Sequence, residues 1–192
     1  LDNLRALYFC VLTQDYGNEI KEIKGLDNLR KLKALNINHN KITEIQGLDN
    51  LTNLKDLCLY SNRISKIQNL ETLINLESLS LGDNKIEKIE GLEMLSSLTS
   101  LDLSHNKIQE ISGMENLKEL YDLDLSSNNI MEIKGIETLT TLNILNLMYN
   151  NLSKIKEVKA LERVERIYLD GNPLPRKELE KMRGKDVYLR NY

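Results

Sequence analysis

The stretch Leu98-Thr99-Ser100-Leu101-Asp102-Leu103-Ser104-His105-Asn106 spells one phrase, Leu-x-x-Leu-x-Leu-x-x-Asn, which returns as Leu120-x-x-Leu123-x-Leu125-x-x-Asn128. Its closing residue sets the period: Asn40, Asn62, Asn84, Asn106, Asn128, Asn150 and Asn172 follow one another at 22 residues. A period of this length makes each copy a unit that buries its apolar row only against its neighbours. In the copy from Leu76 to Ser97, Leu76, Leu79 and Leu81 face inward while Ser78 and Ser80 alternate outward, which predicts a short strand. Asn84 comes next. Its amide offers a donor and an acceptor, expected to bond backbone groups of its own and the next coil. Ile86, Ile89, Leu92, Leu95 and Leu98 then recur by three. That spacing fits 3₁₀ turns and extended pieces, in which side chains at i and i+3 eclipse, rather than an α-helix. The expected fold is α/β in class: a curved horseshoe with strands paired in parallel, about 4.8 Å apart, on the concave face. The convex side is expected to consist of 3₁₀ and extended turns.

The ends depart from the phrase. Leu1-Asp2-Asn3-Leu4 matches Leu26-Asp27-Asn28-Leu29 at a separation of 25. This aligns Leu7, Cys10 and Leu12 with Leu32, Leu35 and Ile37, places three extra residues within Asp15 to Glu19, and gives Asp15 the asparagine place. The chain opens in mid-phrase without Met, so the sequence reads as a piece of a longer protein. After Asn172 the pattern breaks at Pro173 and Pro175. Arg176 to Arg183 reads as a short helix, Gly184 as its C-cap and Val187 to Leu189 as a last strand. Leu179, Met182, Val187 and Leu189 would cover the final coil. The expected division is residues 1–172 as about eight coils, the first atypical, and residues 173–192 as a C-terminal cap.

Composition narrows the function. Of 192 residues, 26 are Lys or Arg and 29 Asp or Glu, for a net charge of −3. That balance does not suit a basic nucleic-acid or membrane binder, and no nucleic-acid or membrane partner is expected. Lys and Glu interleave on the turns, as in Lys85-Ile86-Glu87-Lys88-Ile89-Glu90, and read as a solvated convex face. Cys10 is expected inside and Cys58 outside, two coils apart, badly placed to pair. The sequence carries no clustered cysteines of the sort that cap secreted repeats, which points to a reducing compartment: cytoplasm, with the nucleus as the alternative. Asn50-Leu51-Thr52 and Asn151-Leu152-Ser153 match a glycosylation pattern and are read as chance.

The outward strand positions are the ones the repeat does not dictate. Asp102 and Asp124 stand one coil apart in one column, with Asp122 beside them, Asp83 at the near rim and Asp56 further back. Tyr60 belongs to the same face. Tyr121, Met148, Tyr149 and Tyr168 are expected on the C-terminal side of the acids. Acid beside exposed aromatic and Met side chains suits a basic or mixed protein segment. The competing reading is that outward polar residues only keep the sheet soluble. Two carboxylates about 5 Å apart match the spacing of a retaining glycosidase, but stacking imposes that spacing on any column. His39 and His105 lie three coils apart, about 14 Å, too far to share a metal ion. No phosphate loop, zinc spacing or nucleophile elbow is present. The reading is a non-catalytic protein binder with no cofactor and no metal, monomeric, with self-association through an open N-terminal strand edge as the alternative.

The phrase Asn84-Lys85-Ile86-Glu87-Lys88-Ile89-Glu90-Gly91-Leu92-Glu93-Met94-Leu95-Ser96-Ser97-Leu98 resembles the 22-residue class of leucine-rich repeats over residues 1 to 172. The regulatory subunit of type-1 protein phosphatase, axonemal dynein light chain and bacterial internalins are similar. The resemblance implies a solenoid that binds protein on its concave face. In the phosphatase regulator, concave acidic and aromatic residues grip the enzyme, and Asp102, Asp122, Asp124, Tyr60 and Tyr168 occupy comparable columns here. This chain differs in the Ser and Gly of its middle coils and in a shorter cap. The internalins imply an adhesion role instead; their repeats usually carry Pro or Ser where this chain has Gly25, Gly47, Gly91, Gly113 and Gly135.

Overall fold

The structure, a computed structural model, describes residues 3–9, 18–155, 161–180 and 186–188. Among the described residues, nine three-residue strands form one parallel sheet in sequence order: β1 (Ala6–Tyr8), β2 (Ala34–Asn36), β3 (Asp56–Cys58), β4 (Ser78–Ser80), β5 (Ser100–Asp102), β6 (Asp122–Asp124), β7 (Ile144–Asn146), β8 (Arg166–Tyr168) and β9 (Asp186–Tyr188). The chain is a solenoid with this sheet along its concave face. Registers from β2 to β8 are offset by 22, as Leu101 against Leu123 shows.

Each coil folds as its apolar spacing requires. Ile86, Ile89, Leu92, Leu95 and Leu98 are all buried, as are Leu101 and Leu103 on the strand side. Backbone bonds such as Leu95 N–H to the Leu92 carbonyl and Leu98 N–H to the Leu95 carbonyl, both 3.0 Å, close i→i+3 turns. The rows merge into one core of Leu and Ile running through the stack.

The asparagines hold the corners together. Asn106 Nδ2 donates to the carbonyls of Leu81, Leu103 and Ser104 at 3.0 to 3.1 Å, and its Oδ1 accepts the Ile86 N–H at 2.9 Å. Asn62, Asn84, Asn128 and Asn150 repeat this set. The cross-coil bonds run to the preceding coil, not the next one, because the side chain points back along the stack.

The first coil corrects the expected register. Leu7 pairs with Leu35, and Phe9 N–H bonds the Asn36 carbonyl, so Leu4, Leu7 and Phe9 stand where Leu32, Leu35 and Ile37 stand one coil later. Asn40 reaches back 31 residues to the Phe9 carbonyl, whereas Asn62 reaches back 25 to Ile37. The first coil therefore holds six more residues than a regular one. They precede Asn18, which stands 22 before Asn40 and takes the asparagine place assigned to Asp15. Its Nδ2 bonds the same Phe9 carbonyl. Cys10, Leu12 and Asp15 lie outside the described residues.

At the other end a helix is described over Arg176–Leu179, at the expected start; residues 181 to 183 of the expected Arg176 to Arg183 span, Met182 among them, lie outside the described residues, as do Gly184 and Leu189. The last strand begins one residue early, at Asp186, with Val187 against Ile167. Leu174 is buried and Leu179 packs against the core. Glu178 Oε2 accepts the Ile155 N–H at 2.8 Å, so the cap supplies an acceptor to the coil it closes.

Candidate functional site

Parallel stacking arranges the outward positions into columns. The strand-opening column reads Ala34, Asp56, Ser78, Ser100, Asp122, Ile144, Arg166, and the strand-closing column Asn36, Cys58, Ser80, Asp102, Asp124, Asn146, Tyr168. Two residues on lie Tyr60, Gly82, Ser104, Ser126 and Met148. The rim follows, at His39, Ser61, Asp83, His105, Ser127 and Tyr149, all with φ between 51° and 55°. This left-handed row is invisible in the sequence, since only Gly171 among its members is a glycine.

Asp102 and Asp124 are adjacent as expected, but their carboxylates diverge. Asp102 Oδ2 accepts the Ser80 hydroxyl of the preceding coil at 2.9 Å, whereas Asp124 Oδ2 accepts Asn146 Nδ2 of the following coil at 2.8 Å. Each Oδ1 turns to the serine two residues on. Asp102 takes the Ser104 N–H and hydroxyl at 2.9 and 2.6 Å, and Asp124 takes those of Ser126 at 2.8 and 2.6 Å. Ser104 and Ser126 are consequently buried rather than presented on the concave face. The same backbone bond exists where the column holds a neutral amide: Asn36 Oδ1 accepts Asn38 N–H and Asn146 Oδ1 accepts Met148 N–H, both at 3.1 Å. The turn thus needs an Asx oxygen and not a negative charge.

Asp122 is half-buried between Ser100 and Ile144. Burial raises its pKa, Asp124 and Asp102 raise it further, and Arg166 opposes them. A carboxylate with a raised folded-state pKa binds more protons than the unfolded chain between the two pKa values, so stability falls as pH rises through that window. Asp122→Asn is expected to raise the urea midpoint at neutral pH. The advantage should shrink as pH falls below the ordinary carboxylate range; urea melts at several pH values test this.

Tyr60 sits at the near end of the patch. Its ring meets His39 edge-on, with centroids 5.6 Å apart. Gly82 makes room for it: a Cβ there would come 2.9 Å from Tyr60 Cδ2 and 2.8 Å from Asp102 Oδ2. Burial raises the Tyr60 pKa, and Asp83 and then Asp102 add to it. At the far end Tyr168 follows Asn146 in the column, half-buried Met148 lies beside them, and Tyr149 is 53% exposed over Gly171. Tyr121 does not join this group. Its carbonyl accepts the N–H groups of Asn143 and Ile144 at the start of β7, so it lies at the opposite rim from Tyr149, about 20 Å away along the strands. Asp56 stands three strands from Asp122.

Surface depressions include one of ≈ 670 Å³ away from the patch, beside Glu87, Glu90, Glu110 and Gly113, and one of ≈ 250 Å³ beside His39, Lys41 and Arg63. Among the described residues, no three His, Cys, Asp or Glu side chains are grouped to hold a metal ion, and no helix is long and apolar enough to cross a membrane. Sequence reasoning missed Ile74, Met94 and Met131, all exposed; their columns are polar in most other coils, and that contrast was the available signal.

The comparisons agree with this architecture. Residues 74–130 match a family described as Leucine rich repeat, residues 52–94 match Leucine Rich repeats (2 copies), and residues 28–44 match Leucine Rich repeat. No curated protein matches the chain. Among solved structures, internalin C2 of Listeria monocytogenes is similar at TM-score 0.84 and 23% identity, covering 98% of this chain and 82% of its own. A leucine-rich-repeat protein of Leptospira interrogans is similar at TM-score 0.70 and 27% identity, covering 99% of this chain and 55% of its own.

Proposed function

We propose, on the premise that this chain is a leucine-rich-repeat protein, that it is a non-catalytic scaffold whose concave face captures a protein with a basic surface. One observation carries the reading. Asn36 and Asn146 make the turn bond that Asp102 and Asp124 make, so the charge on the two aspartates exceeds what the scaffold uses. With Asp83 and Asp122 it forms an acidic surface flanked by Tyr60 on one side and Met148 and Tyr168 on the other. Aromatic and Met side chains beside desolvated charge are common anchors of protein interfaces. The narrower reading, a phosphatase regulator, has the repeat phrase behind it; nothing in the concave chemistry selects a phosphatase over another basic-surfaced protein. The likeness to internalin C2 bears on fold alone. The low cysteine content supports a reducing compartment, the cytoplasm or nucleus.

The test is capture from source lysate by the wild-type chain and by the double variant Asp102→Asn, Asp124→Asn. Asparagine keeps the backbone acceptor and removes the charge, but at position 124 its amide meets the Asn146 Nδ2 donor, so the variant is expected to stay folded with a small drop in its melting point, which a thermal melt checks. At least one partner recovered by wild type is expected to fall about tenfold or more, as loss of a close charge pair does at desolvated interfaces. Equal recovery of every partner would remove the concave acids as the site.

A further inference from the structure

We propose a second docking surface, on the strand-entry rim of the middle coils, that takes a cationic amphipathic helix lying along the solenoid axis. Glu71, Glu93, Glu115 and Glu137 occupy one position of the turns that lead into β4, β5, β6 and β7, and all four are exposed. Among them stand Ile74 and Met94, on successive coils, 50% and 53% exposed. Neither apolar residue belongs to the repeat: Thr52, Ser96, Lys118 and Thr140 occupy the place of Ile74 in other coils, and Asn50, Thr72, Asn116 and Thr138 that of Met94. The carboxylates also have a local use, since Glu93 and Glu137 accept the N–H groups of Gly91 and Gly135 at 3.2 Å. That use needs an acceptor and leaves the charge available.

Geometry selects a helix. Successive coils are about 4.8 Å apart at the sheet and fan wider away from the concave side, while one helical turn advances about 5.4 Å. A helix parallel to the axis therefore sets one side chain per turn over each coil. Lys or Arg side chains repeating at three or four residues would each meet one glutamate of the row. The adjoining apolar stripe would cover Ile74 and Met94. An extended strand, at about 3.3 Å per residue, falls out of step with the same row.

The test uses a fluorescein-labelled peptide of about 14 residues, four helical turns, built from Leu and Lys with the leucines on one face. A peptide of the same composition with leucines spread around the helix is the control. Anisotropy is measured on the full chain at low and moderate salt. The amphipathic peptide is expected to bind, and to bind at least tenfold more weakly to Ile74→Ser, Met94→Ser and to Glu93→Gln, Glu115→Gln. Glutamine at 93 keeps the acceptor for the Gly91 N–H, so the pair separates lost charge from lost folding. Binding is expected to survive Asp102→Asn, Asp124→Asn, which keeps this surface distinct from the concave one. No binding, equal binding of the control peptide, indifference to both rim variants, or loss in the concave variant would each overturn the proposal.

Discussion

Asn106→Ala is expected to lower the unfolding free energy by about 3 kcal/mol, since a stranded buried polar group costs about 1–3 kcal/mol and several are stranded together. Four bonds disappear. The Leu81, Leu103 and Ser104 carbonyls lose a donor and the Ile86 N–H loses its acceptor. Asn106→Asp is expected to be worse. It keeps the acceptor for Ile86 but turns a carboxylate toward three carbonyl oxygens in a buried corner, where an unpaired charge is more costly than an unpaired dipole. Urea melts monitored by circular dichroism check both. An aspartate variant as stable as the alanine variant would mean that water reaches the corner.

Gly113→Ala carries the second large effect. Gly113 has φ +68°, and a Cβ would come 2.3 Å from the Ile89 carbonyl oxygen, a backbone atom that cannot swing aside. Gly25 provides the control, because its φ is +74° yet nothing lies within 4 Å of its Cβ position. Gly25→Ala should cost about 1 kcal/mol for the left-handed backbone alone. Gly113→Ala should cost about 2–4 kcal/mol, because backbone displacement is added. Equal losses in paired melts would show that the coil spacing yields freely. One coil already meets the problem differently. Asn69 occupies the glycine place at φ 59°, and its Nδ2 donates to the Ile45 carbonyl at 2.7 Å, the counterpart of the carbonyl that crowds Gly113.

The strands, the period-of-three turns and the core were legible because each rests on Leu and Ile spacing, which burial enforces directly. The first coil misled for the same reason. Leu1-Asp2-Asn3-Leu4 looks like Leu26-Asp27-Asn28-Leu29 and suggests a separation of 25, while strand pairing sets 28. Asn18, exactly one period before Asn40, was the better guide, since hydrogen-bond geometry at a corner tolerates less than an apolar row does. The candidate site was legible as columns but not as contacts. Sequence places Asp102 beside Asp124; only the side-chain rotamers show that they turn away from each other to Ser80 and Asn146. Tyr121 was placed wrongly because nearness in sequence to the acids said nothing about which rim it occupies.

The backward reach of the asparagines gives the stack a direction. The corner N–H of each coil is accepted by the coil that follows it: Asn128 serves Ile108, Asn150 serves Ile130 and Asn172 serves Leu152, while Glu178 of the cap serves Ile155, three residues further along the last of these coils. Removing a coil from the front costs the next asparagine its two cross-coil bonds and leaves only side-chain groups open, whereas removing one from the back leaves a backbone carbonyl and a backbone N–H of the new last coil without their asparagine. The two ends are therefore not equivalent as places to shorten, extend or fuse the array. A coil added after the last needs its own closing acceptor, and one added before the first finds a clasp already waiting.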